Sequence, residues 1–284
     1  MDDRILYVVN SGYGNMIMTT PTIRALYLMG YQVDVAIMSH YPDAHQIFKN
    51  HTVHGILKYH PSLFEHYDIA IKSLFVRKKA PLAIGPEDLD WYEYSEQYIN
   101  LTVAHKFGYK LDWVPDAFFG EITWQGCDTD IIYIGNPTAQ LPRFKARMYP
   151  HIYTLMDLLK ENGYRPIQIG SSADAEKWDK SYEYVIPEDI EQCARVLAGG
   201  LAYIGQDCGI SHIAGAINLP TFVLFGPTSF VKNGPAGNCT HVIYVDEYSC
   251  MPCQNEKKFQ TCSAPCMHDL TPDYVLEYVK GVLR

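Results

Sequence analysis

The stretch that decides the fold is LAYIGQDCGISHIAGAINLPTFVLFGPT, residues 201–228. Its apolar runs 201–205 and 221–225 have the length and residue types of buried strands. Residues 208–211 lie directly after the first of them and are predicted to form the first turn of a short helix. A strand, a helix and a second strand in this order form a βαβ unit, which predicts a parallel sheet.

The same alternation of strand and helix patterns extends along the whole chain. The predicted strands are Ile5–Val9, Val33–Met38, Ile69–Ile71, Ile131–Ile134, Pro166–Ile169, Leu201–Gly205, Thr221–Phe225 and Val242–Val245. The clearest predicted helices are Tyr92–Phe107, Ile152–Asn162, Ile190–Ala198 and Tyr274–Leu283. The stretch FFGEITWQGCDTD, residues 118–130, breaks the alternation and is interpreted as a linker. The chain is therefore predicted to be an α/β protein with two Rossmann-like halves.

Composition limits the class of protein. The chain has 284 residues, enough for two domains, and a net charge of −9 argues against a surface that generally coats nucleic acid. Its start, MDDRILYVVN, lacks the basic and long apolar regions of a secretory signal. No stretch approaches the roughly 20 apolar residues of a membrane helix. We therefore expect a cytoplasmic protein without an integral membrane segment, whose eight cysteines are thiols or metal ligands.

Glycine-bearing loops follow five of the predicted strands. Ligands bind at the carboxyl ends of the strands in such sheets, so these loops are expected to converge on one cleft. They are NSGYGN (10–15), GNPT (135–138, beginning at Gly135), GSSAD (170–174), GQDCGISH (205–212) and GPTS (226–229). Glycine permits close approach of the backbone, and helix amino termini present free N–H groups to anions. The cleft is predicted to bind an anionic ligand.

Two of these regions carry the polar groups that a diphosphate requires. The backbone N–H groups of Cys208–Ser211 could hold phosphate, His212 could donate a hydrogen bond, and Asp207 could accept from sugar hydroxyls. Arg143, Lys145 and Arg147 follow the GNPT loop. The alternatives are that Asp207 only caps a helix and that the three cations form a solvated face.

Together these residues resemble glycosyltransferase family 9, the ADP-heptose:lipopolysaccharide heptosyltransferases. The matching segments are ILYVVNSGYGNMIMTTPTIRAL, FKARMYP, DCGISHIAGAINLPTFVLFGPT and CMPC. The resemblance implies a GT-B fold of two facing Rossmann-like domains. The expected domains are 1–125 on the acceptor side, 126–270 on the nucleotide-sugar donor side, and a carboxy-terminal helix, 271–284, that packs back on the first domain.

The resemblance also implies roles for individual residues. Asp207 would contact the donor sugar, and the backbone of Cys208, Gly209 and Ile210 would hold the diphosphate with His212 beside it. Lys145 matches the family's phosphate-contacting lysine, with Arg143 close by. Inversion at the anomeric carbon would need no metal cofactor, because helix termini and cations stabilise the departing nucleoside diphosphate.

The loop of Gly12, Gly14 and Asn15 departs from the family pattern. The family typically has Asp directly after this glycine, as the base for the acceptor hydroxyl, whereas an amide such as Asn15 is no useful proton acceptor. His40 follows the second strand on the same rim and is the first candidate for a replacement base, with Asp43 nearby. The alternative is that this histidine is structural; Asp90 and Glu93 are further acidic candidates without a positional argument.

A cysteine-rich segment ends the second half. Cys250, Cys253, Cys262 and Cys266 have the spacing C-x2-C-x8-C-x3-C. Four thiolates this close in sequence could hold one tetrahedral zinc, which would be structural because no coordination position stays open. The alternative is four reduced cysteines packed beneath a loop.

The expected function is an inverting, metal-independent transfer of a sugar from a nucleotide-diphosphate sugar to an acceptor hydroxyl. The sequence leaves the acceptor open between a glycan such as a lipopolysaccharide core and a modified DNA base. A DNA acceptor would face the basic run KSLFVRKK, residues 72–79. A third alternative, based on Asn15, is a catalytically silent protein that only binds the nucleotide sugar.

Overall fold

The structure is a computed structural model that describes residues 4–76, 80–90, 93–137 and 142–283. Its strands are β1 (Arg4–Val9), β2 (Gln32–Ile37), β3 (Gly55–Lys58), β4 (Ile69–Lys72), β5 (Ile131–Gly135), β6 (Arg165–Ile169), β7 (Tyr184–Val185), β8 (Ala202–Gln206), β9 (Thr221–Leu224) and β10 (Thr240–Ile243). Its α-helices are α1 (Tyr13–Ile17), α2 (Thr20–Leu28), α3 (Glu96–His105), α4 (Ile152–Glu161), α5 (Ser172–Ala175), α6 (Ile190–Ala198), α7 (Gly209–Ala216), α8 (Phe230–Asn233), α9 (Pro265–His268) and α10 (Pro272–Leu283).

The strands form two parallel sheets. The first has the order β3-β2-β1-β4 and the second has the order β10-β9-β8-β5-β6-β7. In each sheet the chain starts at an inner strand, winds to one side and then returns to the other side, which creates a switch point beside β1 and between β5 and β8. The loops at a switch point diverge and leave a crevice at the carboxyl ends of the strands. The crevices of the two sheets open toward each other, between the domains.

Apolar patterning explains why these segments adopt their structure. Five consecutive residues of β1, from Ile5 to Val9, are completely buried, as expected for a central parallel strand covered on both faces. Helix α4 buries Ile152, Leu155, Met156 and Leu159, which repeat with the helical period on one face. Asp189 caps α6 by accepting a hydrogen bond from the Gln192 N–H.

The sequence predicted most of these elements and misplaced a few. All eight predicted strands are present, but the last lies two residues earlier, at Thr240–Ile243. The predicted helix from Tyr92 begins only at Glu96, where the Ser95 side chain caps it. Strands β3 and β7 were not predicted, because they are short, partly exposed strands at the sheet edges. The two sheets lie on either side of the predicted domain boundary at 125/126.

Helix α10 packs on the second domain and corrects the expectation that it returns to the first. Its buried residues Val275, Leu276 and Val279 belong to the same apolar cluster as the buried face of α4. The connection before it is short and anchored to the start of α4, since Tyr149 Oη donates to the carbonyl oxygen of Leu270 at 2.8 Å. The helix therefore covers α4 of the second domain.

The domains are held together by a different surface. The short 3₁₀ helix Ala44–Phe48 of the first domain lies against the start of α6. Gln46 Nε2 donates to Asp189 Oδ2 at 2.8 Å, and its Oε1 accepts from the Glu191 N–H at 2.9 Å. One apolar cluster runs from residues of β1 and β2 to residues of α6 and α7. Among the described residues no helix is long and apolar enough to cross a membrane.

Candidate active site

A cleft of about 450 Å³ lies between the two crevices, where α1 of the first domain faces α7 of the second. Its walls come from both domains and consist largely of polar and aromatic side chains. The lining residues are Gly12, Tyr13, Gly14, Asn15, Met18, Tyr41, Phe75, Glu96, Phe144, Arg147, Asp207, Cys208, Gly209, His212, Thr228, Lys232, Asn233, Gln254, Asn255 and Phe259.

The amino terminus of α7 forms one wall of this cleft. Its N-cap residue is Cys208, whose side chain makes no capping hydrogen bond, and no acidic residue lies in the first turn. Helices α3, α5, α6 and α8 are capped by a serine or aspartate side chain, whereas α1, α2, α4 and α9, like α7, have no side-chain cap. The positive end of α7 is thus left for another acceptor, and an anionic ligand suits it.

Arg147 and Asp207 lie beside this helix end. Arg147 Nη1 is 3.3 Å from Asp207 Oδ2, and its guanidinium stacks over the Phe144 ring at 4.2 Å from the centroid. Asn233 Nδ2 donates to the same carboxylate oxygen at 3.0 Å and to Gln254 Oε1 at 3.2 Å. This network holds a cation and a carboxylate in fixed positions at the cleft wall.

An ion pair joins the two domains across the cleft. Lys232 Nζ of α8 lies 3.4 Å from Glu96 Oε1 at the start of α3, and both side chains are less than a tenth exposed. Asn15 Nδ2 donates to Glu96 Oε2 at 2.6 Å. Burial raises the pKa of Glu96, while Lys232 and the Asn15 amide oppose that rise. The site therefore contains a buried carboxylate of raised basicity.

His212 is buried where the two domains touch. A methyl group added to Gly14 would lie 2.6 Å from His212 Cδ2, so the absence of a side chain at position 14 permits the contact. Burial lowers the pKa of His212 to about 4, against a rise from Asp207. Among the described residues its Nδ1 has no hydrogen-bond partner. At neutral pH this imidazole is uncharged and can donate only one N–H.

A second cavity, of about 470 Å³, opens on the other side of the α7 amino terminus. It shares Tyr13, Tyr41, Cys208 and Gly209 with the cleft. Its other lining residues include four carboxylates, those of Asp43, Asp174, Glu188 and Asp189. Tyr13 Oη donates to Asp43, and burial followed by this hydrogen bond raises the pKa of Tyr13. Acidic groups repel phosphate but accept hydrogen bonds from hydroxyl and amino groups.

Most of the predicted site residues meet at these two cavities. The first loop contributes Gly12, Gly14 and Asn15, and the second domain contributes Asp207, Cys208, Gly209 and His212 to the cleft. Ile210 lines only the second cavity. Each of the loops 10–15 and 205–212 lies at the carboxyl edge of its own parallel sheet, and the packing of the two domains brings these edges together.

Other predicted residues lie elsewhere. Lys145 is exposed and does not line the cleft, whereas Arg147 from the same segment does. The side chain of Arg143 lies outside the described residues. Gly135 leaves room for Tyr203, whose hydroxyl oxygen would lie 1.9 Å from an added methyl carbon. Its packing against Tyr203 explains this glycine, and a role in donor binding stays a prediction.

His40 does not reach the cleft. It lines a separate hollow with Ser39, Pro42 and His45, and its exposed ring stacks on Tyr41 at 4.3 Å between centroids. Asp43 lines the second cavity instead. The role of His40 as a base stays a prediction, and the geometry of the cleft offers it no support.

Sequence reasoning missed Glu96, Lys232 and Asn233. Lys232 and Asn233 follow the GPTS loop within one helical turn, so that loop was a usable signal. Glu96 lies 81 positions from Asn15, and only the path of the chain after β4 brings the two together. No local pattern marks it.

None of the four clustered cysteines forms a disulfide bond. Cys253 and Cys266 are buried, and Cys250 and Cys262 are partly exposed. Burial raises the pKa of Cys266 to about 11, and the other three cysteines add to the rise, so all four lie near one another. Across the described ranges, no group of three or more His, Cys, Asp or Glu is arranged to hold a metal ion.

Comparison with known proteins shows which family the chain resembles. Residues 126–264 match the family model of glycosyltransferase family 9 (heptosyltransferase). The resemblance to family 9 is confirmed. Lipooligosaccharide heptosyltransferase 2 of Campylobacter jejuni is 32% identical over 85 residues, which cover 29% of this chain and 25% of that protein. The chain thus spans less than half the length of the curated relatives it matches.

Solved family 9 structures extend the likeness to both domains. The glycosyl transferase family 9 protein of Veillonella parvula superposes with a TM-score of 0.78 at 16% identity, over 99% of this chain and 97% of that one. Heptosyltransferase WaaC of E. coli, solved with ADP, superposes with a TM-score of 0.71 at 16% identity, over 98% and 99%. WaaC has also been solved with ADP-2-deoxy-2-fluoro heptose. The fold is GT-B, as predicted.

Proposed function

We propose that the protein is an inverting glycosyltransferase that moves a sugar from a nucleoside-diphosphate sugar to an acceptor hydroxyl. The observation that carries the proposal is the uncapped amino terminus of α7, placed between a cleft that contains Arg147 and the buried Lys232 and a cavity lined by four carboxylates. The family 9 match covers this same half of the chain. The first donor to test is ADP-heptose, because a relative of the same fold has been solved with an analogue of it.

Charge determines how the donor would be oriented. The acidic cavity suits the ribose and base, whose hydroxyl and amino groups donate to carboxylates. The diphosphate would lie over the α7 amino terminus with Arg147 beside it, where helix dipole and guanidinium favour negative charge. The sugar would then occupy the cleft, with its anomeric carbon toward the first domain and within reach of Asp207.

The chemistry that follows is a displacement at the anomeric carbon. The acceptor hydroxyl attacks from the side of α1, and the nucleoside diphosphate departs on the opposite side. The α7 N–H groups, Arg147 and the His212 N–H stabilise the negative charge that develops on the leaving group. These groups are in place before the reaction, so catalysis on this route has no step that requires a metal.

The test measures binding and turnover separately. Purified protein is titrated with ADP, UDP and GDP and with the corresponding sugars, including ADP-heptose, and release of the nucleoside diphosphate is then followed with and without a lipopolysaccharide-core acceptor. We expect one nucleotide to bind and its sugar to be consumed. A donor that binds but is neither hydrolysed nor transferred would contradict the proposal and favour a silent binding protein.

Arg147→Gln should weaken binding of the nucleoside diphosphate by about 10- to 100-fold, since it removes one charge-assisted contact. The matched control is Arg165→Gln, because Arg165 is half exposed and pairs with Glu183 far from the cleft. Equal affinities for the two variants would contradict the placement of the diphosphate.

We also propose that the cysteine cluster holds one structural metal, zinc first. The C-x2-C-x8-C-x3-C spacing and the mutual proximity of the four thiols support it, although the sulfurs are not arranged for coordination. Elemental analysis of protein purified without chelator or a metal-binding tag should find about one equivalent of zinc or another soft metal. Metal-free protein with four titratable thiols after unfolding would overturn this proposal.

A further inference from the structure

Glu96 is a carboxylate in an unusual place. It is the first residue of α3 and is 3% exposed, yet it lines the cleft. Buried carboxylates are rare in proteins because loss of hydration is costly, and they are retained mostly where a partner or a reaction requires them. The surrounding contacts show what this one faces.

Three residues of the first domain fix its position. Ser11 Oγ donates to Asn15 Oδ1 at 3.0 Å, which orients the amide so that Asn15 Nδ2 points to Glu96 Oε2 at 2.6 Å. The Ser95 side chain caps the same helix turn by accepting from the Tyr98 N–H. Asn15 therefore acts here as a donor that holds a carboxylate in place.

The second direct contact of the Glu96 carboxylate comes from the second domain. Lys232 Nζ lies 3.4 Å from Glu96 Oε1, and the first turn of α8 that carries it is capped by Ser229. Each carboxylate oxygen has two lone pairs, so one contact per oxygen leaves acceptor capacity toward the cleft. The residues Asn15, Glu96 and Lys232 form a bridge across the place where donor sugar and acceptor would meet.

We propose that Glu96 is the catalytic base of the transfer, and that it replaces at a distance in sequence the carboxylate that position 15 lacks. This inference rests on the proposed function. The acceptor O–H proton passes to Glu96, the acceptor oxygen forms a bond to the anomeric carbon, and the bond from that carbon to the diphosphate oxygen breaks. The nucleoside diphosphate takes the electron pair, and Glu96 releases its proton to water after the products leave.

Lys232 has a second task in this scheme. Its ammonium pairs with Glu96 before the donor binds and lies in the cleft that the diphosphate enters. A donor phosphate that attracts this ammonium weakens its pairing with Glu96, and the carboxylate then becomes a stronger base. Burial already acts in the same direction on the pKa of Glu96. Donor binding would thus activate the base.

Glu96→Gln tests the proposal, because it keeps the shape and one acceptor oxygen but removes the base. Turnover should fall by about 10²- to 10⁴-fold while the donor dissociation constant changes little, and the acidic limb of the pH–rate profile should disappear. Glu65→Gln makes the same chemical change at an exposed residue of the first domain and serves as the matched control.

A second variant distinguishes loss of the base from loss of the fold. In the double variant Asn15→Asp with Glu96→Gln, a carboxylate returns to the other end of the same hydrogen bond. We expect its turnover to be at least tenfold higher than that of Glu96→Gln alone, and we expect the acidic limb of the pH–rate profile to return. Melting temperatures of all variants identify those that are folded.

Three outcomes separate this inference from the function on which it rests. Wild-type turnover that survives Glu96→Gln, with the same pH profile, overturns the inference and leaves the function intact. A loss confined to His40→Ala also overturns it and returns the role to the histidine. Donor binding without turnover in the wild type and in Asn15→Asp overturns the proposed function, and the base with it.

Discussion

The buried imidazole of His212 makes the stability of the protein depend on pH. In the folded state burial lowers its pKa to about 4 from an ordinary value of 6.5. Between these values the unfolded chain binds a proton that the folded protein excludes, so stability falls as the pH decreases from 6.5 toward 4. The shift corresponds to about 3 kcal/mol. His212 therefore contributes its full stability only above pH 6.5.

His212→Gln should remove most of this dependence. We expect the loss in the free energy of unfolding between pH 6.5 and 4 to be smaller than in wild type by about 3 kcal/mol, as measured by denaturant titration. The matched control, His45→Gln, removes an exposed imidazole instead. A variant at position 212 that keeps the wild-type slope would show that other groups cause it.

Single residues also show how far sequence reasoning reaches into a site. Asn15, Asp207 and His212 could be found because each follows a predicted strand in a glycine-bearing loop. Lys145 and Arg147 share one segment, and only the turn of a 3₁₀ helix decides that Arg147 faces the cleft. Glu96 has no local signal, because its role depends on partners 81 and 136 positions away. Tertiary contacts therefore decide which side chains reach the cleft, and sequence periodicity does not reveal these contacts.

At the scale of elements, α1 and α7 approach so closely that one of them must carry a glycine. A Cβ at Gly14 would lie 2.6 Å from His212, whereas a Cβ at Gly12 would meet nothing closer than Asn15 Oδ1 at 3.9 Å. Gly14→Ala must push the helices apart and should lower the free energy of unfolding by about 1–3 kcal/mol.

Gly12→Ala is the matched control for that prediction. It makes the same glycine-to-alanine change at the N-cap of the same helix, where the backbone φ is an ordinary −75°. Thermal denaturation of both variants should show a loss only at position 14. Equal losses would mean that backbone flexibility, and not the contact with His212, sets the requirement for glycine.

Helix α10 offers a second prediction about an element, since its apolar face covers α4. Val279 is completely buried and Val282 is 37% exposed on the same helix. Val279→Ala should lower the free energy of unfolding by about 2–3 kcal/mol, through lost apolar burial and the cavity that remains. Val282→Ala, the matched control, should change it by less than about 0.5 kcal/mol. Similar effects at both positions would contradict the packing of α10 on α4.

The whole molecule was predictable in outline because parallel sheets impose strong local patterns. Buried strands such as β1 and β8 are nearly continuous apolar runs, and the common direction of parallel strands places the loops that follow them at one edge of each sheet. The packing of α10 was not predictable, because its apolar face fits either domain and the periodicity does not identify the partner. The surface between the domains depends on polar side chains such as Gln46, which have no sequence pattern.

That surface predicts how the protein unfolds. Gln46 makes two hydrogen bonds to the start of α6, and one apolar cluster includes Ile47 and Phe48 of the first domain with Ile190 and Ala194 of the second. Because this core is shared, neither domain can lose its structure and leave the other intact. We expect one cooperative transition, with equal calorimetric and van't Hoff enthalpies.

Gln46→Ala tests the shared core, and exposed Gln32→Ala is its matched control. Loss of both hydrogen bonds leaves Asp189 and the Glu191 N–H without that partner, which should cost about 1–3 kcal/mol. Single-tryptophan proteins that retain Trp113 of the first domain or Trp178 of the second report each domain separately. Both midpoints should coincide in wild type and fall together in Gln46→Ala, because weakening the contact destabilises a common core. Midpoints that differ between the two probes would show that the domains unfold independently.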